Sequence, residues 1–96
     1  MHFICSLGFT DQGIRSIKDA PNRAKTAREL AGKLGVDVKQ AYLTSGSDDL
    51  LLIVESSNGD NVAKWALAIA SQGNVRTRTA LAWTDQEFMK LISELP

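Results

Sequence analysis

An α+β fold, a four-stranded antiparallel sheet with helices on one face, is predicted from three observations. Segments His2–Phe9 and Asn74–Trp83 alternate with a period of two, as half-buried strands do. Two segments between them, about 21–34 and 58–71, repeat apolar residues at helical spacing. Two further strand signals lie between those helices, so the order is β-α-β-β-α-β. The length agrees, because 96 residues, 44% hydrophobic and 23% charged, suit one domain over residues 1–96.

In the first strand Phe3, Cys5, Leu7 and Phe9 share one face, and His2, Ile4, Ser6 and Gly8 the other. Thr10-Asp11-Gln12-Gly13 breaks the alternation, and Ile14 and Ile17 suggest a short helical turn before Asp19-Ala20-Pro21. Proline in a first turn marks the start of the helix from about Pro21 to Leu34. Its inner stripe is Ala24, Ala27, Ala31 and Leu34 with Leu30, and Gly35 is the expected left-handed stop. Val36–Thr44 reads as the second strand, and Ser45-Gly46-Ser47-Asp48 as a turn. Leu50 to Val54 then runs apolar without a break, so the third strand, Asp49–Glu55, is expected to be buried on both faces.

Asn58 is placed to cap the second long helix, whose inner stripe is Val62, Ala66, Ile69 and Ala70, widened by Trp65 and Leu67. Gly73 ends it. In the last strand Val75, Thr77, Thr79, Leu81 and Trp83 oppose Asn74, Arg76, Arg78, Ala80 and Ala82. Thr84-Asp85-Gln86-Glu87 has the capping-box spacing, and Phe88, Leu91, Ile92 and Leu95 follow on one side of a short amphipathic C-terminal helix.

This order is the split β-α-β pattern of ferredoxin-like folds, in which two helices cover one sheet face and leave the other bare. Here the third strand, Ile4 and Ala80 put apolar side chains on the bare face. Leaving about three aliphatic side chains in water forgoes on the order of 1.5–3 kcal/mol each. A second copy stacked sheet to sheet about a two-fold axis is the economical cover, giving a dimeric α/β barrel.

Composition narrows function by exclusion. Eleven Lys and Arg balance eleven Asp and Glu, so no net field draws nucleic acid or an acidic membrane. The single Cys5 and single His2 supply neither a disulfide framework nor a zinc site within one chain, and no cofactor is expected. With no secretory leader and no apolar run near the roughly 18 residues of a membrane helix, a reduced, cytoplasmic location is expected.

Several separated segments resemble the GYD domain family. They are Thr10-Asp11-Gln12-Gly13-Ile14-Arg15, Ile17-Lys18-Asp19-Ala20-Pro21-Asn22-Arg23, Tyr42-Leu43-Thr44-Ser45-Gly46, Val54-Glu55, Gly73-Asn74-Val75-Arg76-Thr77 and Trp83-Thr84-Asp85-Gln86-Glu87-Phe88. The resemblance implies a ferredoxin-like domain forming a dimeric α/β barrel, and implies no reaction. The motif that names the family is altered: in Gly46-Ser47-Asp48-Asp49, Asp48 stands where a tyrosine is expected.

Among candidate site residues Arg76 and Arg78 are the sharpest, since alternation turns both toward the space between sheets, where Ser6 and His2 of the first strand line the same face. Paired guanidinium groups with a hydroxyl and an imidazole match a carboxylate or phosphate of a small anionic metabolite. The competing reading pairs these arginines with Asp or Glu across the interface, or uses them as edge-strand charge. A second cluster, Arg15, Lys18, Arg23, Lys25 and Arg28, is interleaved with Asp11, Asp19 and Glu29 and lacks a Gly-rich phosphate loop, so it reads as a mixed-charge surface. Asp48 and Asp49 are adjacent, diverge and serve a turn; Trp65 and Trp83 fill core or interface space; Cys5 reads as a buried thiol. No nucleophile, base and orienting group form a set.

The expected function is a homodimeric module that binds a small anionic metabolite between its sheets. The alternatives are a cofactor-independent, monooxygenase- or isomerase-like enzyme, by fold analogy, and a structural or regulatory dimerisation domain without a ligand.

Overall fold

The computed structural model describes residues 1–96. Its strands are β1 (His2–Phe9), β2 (Asp37–Leu43), β3 (Leu50–Glu55) and β4 (Val75–Ala82), and its helices α1 (Asp11–Arg15), α2 (Ala20–Lys33), α3 (Gly59–Ser71) and α4 (Asp85–Ser93). A 3-10 turn, Ile17–Asp19, joins α1 to α2. The strands form one antiparallel sheet in the order β2-β3-β1-β4, the ferredoxin-like arrangement expected from the sequence.

The core lies between the sheet and helices α2 and α3. Phe3, Cys5 and Leu7 of β1, Val54 of β3 and Val75 of β4 meet Ala31 of α2 and Val62 and Trp65 of α3. Trp65 is buried in body but keeps a polar handle, donating from its indole N–H to the carbonyl of Ala27 at 2.9 Å, which ties α3 to α2. Helix α2 ends as its glycine requires: Gly35 has φ 69°, and Val36 N–H donates to the Ala31 carbonyl at 2.8 Å. That closure turns Val36 into the core, so β2 begins at Asp37 rather than Val36. Asn58 caps α3 by accepting from Asp60 N–H at 2.8 Å.

The first connection is more structured than its sequence pattern suggests. Thr10 caps α1, accepting from Gly13 N–H at 3.1 Å and donating to the Gly73 carbonyl at 2.6 Å. Gln12 adds bonds to the Gln72 carbonyl and the Asn74 side chain at 3.1 and 2.9 Å. Only glycine fits at position 13, because a Cβ there would lie 2.0 Å from the Asn74 carbonyl oxygen.

Two residues of the expected core are corrected. Ala24 and Leu67, assigned to inner stripes, are exposed, Ala24 because the N-terminal half of α2 stands away from the sheet and Leu67 because it points away from α3's buried side. In β3 only Val54 is fully buried; Leu50, Leu51, Leu52 and Ile53 are partly covered on either face. Helix α4 carries no buried residue, and its apolar stripe lies open to solvent.

Candidate functional site

The sheet face opposite the helices has an apolar centre and two polar ends. Its centre is a row across three strands, where Ile4 of β1 pairs with Ile53 of β3 and with Ala80 of β4; Leu51 of β3 and Tyr42 of β2 pair beside it. Ile4 and Tyr42 are exposed, and Leu51 and Ile53 are partly covered.

Arg76, Arg78 and Ser6 gather at one polar end. Ser6 stands directly opposite Arg78, and Gly8 opposite Arg76. Arg78 does not wait for a partner molecule: its guanidinium donates to the carboxylate of Asp48 in the turn before β3. That ion pair spans β1, whose open-face residues at this level, Ser6 and Gly8, are small. Asp48 thus occupies the altered position of the family motif and neutralises one of the two arginines. Asp49 diverges from it, accepting from Phe9 N–H at 2.8 Å, which holds the turn against the end of β1. Arg76 makes no ion pair with the chain's own carboxylates. It is the free cation of this end, with the Ser6 hydroxyl two pairs along the ladder on the same face.

His2 is on the same face but at the opposite end. It is four positions from Ser6 along β1, roughly 13 Å at strand rise. There it pairs with Glu55 and stands between two carboxylates, its Nε2 3.7 Å from Glu55 and its Nδ1 3.8 Å from Glu87 of α4. Nδ1 is buried without a hydrogen bond. Lys39 extends this polar end, 2.7 Å from Asp37 and 3.6 Å from Glu55. Its bond to Asp37 and the charges of Asp37 and Glu55 hold the Lys39 ammonium above its ordinary range. The Glu87 carboxyl is held below its ordinary range, first by the backbone N–H of Thr84 in the capping box and then by the Thr84 side chain, with a smaller contribution from His2. On the helix side, burial pushes the Cys5 thiol up, opposed by the Thr79 hydroxyl 3.6 Å from its sulfur.

Sequence reasoning missed Asp48, Glu55, Glu87 and Lys39 as members of this face. Glu55 was available in principle, since it continues the phase of Leu51 and Ile53. Lys39 was not, because a register shift between Val38 and Gln40 interrupts the alternation there. The reach of Arg78 to Asp48 depends on β1 lying between β3 and β4, which adjacency in sequence does not show.

Fold and open face together place the chain among ferredoxin-like α+β domains. It belongs to the GYD domain family, whose model matches residues 3–92. It is 35% identical over 78 residues to the glutamine synthetase and cystathionine beta-lyase binding protein of Thermus thermophilus, across 80% of this chain and 82% of that protein. Two solved structures from Mycobacterium tuberculosis share the fold. The feast or famine regulatory protein complexed with L-methionine aligns with a TM-score of 0.61 and 19% identity over 88% of this chain and 53% of that one. The leucine response regulatory protein aligns at 0.56 and 16%, over 86% and 50%. The chain therefore spans about half the length of these structural neighbours.

Proposed function

We propose that residues 1–96 act as a homodimeric binding module, two copies joined through their open sheet faces, with Arg76 as the anchor for a small anionic metabolite held between the sheets. The observation that carries the reading is the open face itself: the Ile4, Leu51 and Ile53 patch needs a cover, and the free guanidinium of Arg76 stands at its edge. Covering the patch lowers the dielectric around Arg76 and strengthens a paired bond to carboxylate or phosphate. Ser6 supplies a neutral donor, and Arg78 joins the site to the extent that an anion displaces Asp48. His2 lines the far end of the same cavity, where its neighbours Glu55 and Glu87 suit it to orient a neutral or cationic part of the ligand. Native mass spectrometry of the purified protein tests this directly. A dimer retaining an anionic small molecule, lost in Arg76→Gln, is expected; repeated recovery of a ligand-free species whose anion titrations are the same in both proteins would contradict it.

A second reading is supported by the name of the Thermus relative, a binding protein for two enzymes. By that similarity the module docks on a metabolic enzyme, with its ligand tuning the contact. Calorimetric titration against purified glutamine synthetase, with and without the retained ligand, checks it; absence of heat in both cases removes it.

A further inference from the structure

The helix side of the sheet carries an open apolar groove of about 650 Å³ between the N-terminal half of α2 and strands β2 and β3. It exists because α2 does not extend over the edge strand. Ala41 and Leu43 of β2 pair with Leu52 and Leu50 and share their face, yet both are exposed, Leu43 to 78%. Ile14 and Ile17 form the opposite lip and are also exposed. Arg23, Arg28 and Asp49 line the groove, and the elements that wall it, α1 through α2, also carry Arg15, Lys18, Lys25 and Lys33 against Asp11, Asp19 and Glu29, so the wall keeps an excess of positive charge.

The chain also contains an element of complementary character whose apolar side has nothing to pack on. Helix α4 presents Phe88, Leu91 and Ile92, with Leu95 just beyond, along one side, and all four are about half exposed or more. Its polar side bears Asp85, Glu87 and Glu94 against the single Lys90, so it is an acidic amphipathic helix. The groove's excess of cations is opposite in sign to this helix's excess of anions, and their apolar surfaces match in kind.

From this complementarity we infer that α4 of one copy docks in the groove of a second copy. A chain's own helix does not reach. Helix α4 leaves β4 where Ala82 pairs with His2, at the N-terminal end of β1, whereas the groove lies at the C-terminal end beside Leu7 and Phe9. Strands β4 and β2 are opposite edges of the sheet, and only Trp83 and Thr84 link β4 to α4. Two residues span at most about 7 Å. The contact is heterologous, the helix of one copy on the groove of the next, so it links molecules independently of the sheet-face dimer. With this contact and the sheet-face contact both formed, the protein assembles beyond a dimer.

Engineered cysteines test this in the full chain, with the buried Cys5 left in place. Chains carrying Leu91→Cys are co-expressed with chains carrying Leu43→Cys, on the groove lip, or Tyr42→Cys, the neighbouring residue on the open face; all three sites are exposed, so the fold tolerates them. Mild oxidation is expected to join Leu91→Cys chains to Leu43→Cys chains at least tenfold more than to Tyr42→Cys chains. Adding Lys25→Glu and Arg28→Glu to the groove chain is expected to weaken the link severalfold, and Ile53→Glu, which targets the sheet-face dimer, to leave it intact. Preferential joining to Tyr42→Cys would place α4 on the open face and overturn the inference. So would joining to neither, as expected if another protein or a small apolar ligand fills the groove.

Discussion

Arg78 and Asp48 cancel across β1, and Arg76, two residues away on the same face, does not cancel. This difference sets the first prediction. Replacing Asp48 by Asn releases a second guanidinium beside Ser6, so anion affinity is expected to rise about two- to fivefold, the scale of a partly exposed ion pair. Calorimetric titration of both proteins with the retained anion measures it; unchanged affinity would show that Arg78 plays no part. Cys5 gives a second prediction. Burial raises its folded-state value above the unfolded 9.0, so the neutral thiol is favoured in the folded chain and its stabilisation is present below pH 9 and lost as pH rises through the folded value. Iodoacetamide is expected to modify Cys5 at pH 8 only at the rate of unfolding, and rapid modification of the folded protein would contradict the burial.

Helix α1 packs on the loop before β4 through contacts that leave no space for a side chain at Gly13. Gly13→Ala forces backbone apart from backbone and is expected to cost about 2–3 kcal/mol, the upper range of overpacking, in urea-induced unfolding. Helix α4 depends instead on its cap. Glu87 accepts from Thr84 N–H at 2.9 Å while Thr84 accepts from Glu87 N–H at 3.2 Å. The folded-state value of Glu87 lies below the unfolded 4.5, so its support for α4 is present above that pH and is lost as pH falls through the folded value. Helical NMR shifts over residues 85–93 are expected to fade in that acid window while β1 and β3 stay intact, and Glu87→Gln to weaken the pH dependence.

At the scale of the molecule, the sheet and its two covering helices were legible in the sequence because period-two and helical apolar patterns report burial one element at a time. Phe3, Cys5 and Leu7 against Ile4 and Ser6 show it, as do Asn58 and Gly35 at the helix ends. The site was legible only in part. Alternation put Arg76, Arg78, Ser6 and His2 on one face, but the distance of His2 from the arginines and the claim of Asp48 on Arg78 depend on strand order and register. The groove was not legible at all: Ala24 follows the inner stripe of α2, the register shift after Val38 turns Leu43 to the helix side, and only the placement of α2 leaves both open. Ile4, Leu51, Ile53 and Tyr42 leave the open face with an apolar centre that demands a cover.

Sedimentation equilibrium of the wild-type chain and Ile53→Glu at micromolar concentration tests that demand most directly. Ile53 lies at the centre of the open face and only part-buried, so the substitution spares the helix-side core. Wild-type masses of a dimer or a multiple of it are expected, with Ile53→Glu losing the sheet-face association while keeping its circular dichroism spectrum. A wild-type protein that sediments as a folded monomer, or a Ile53→Glu variant with undiminished mass, would contradict sheet-to-sheet pairing.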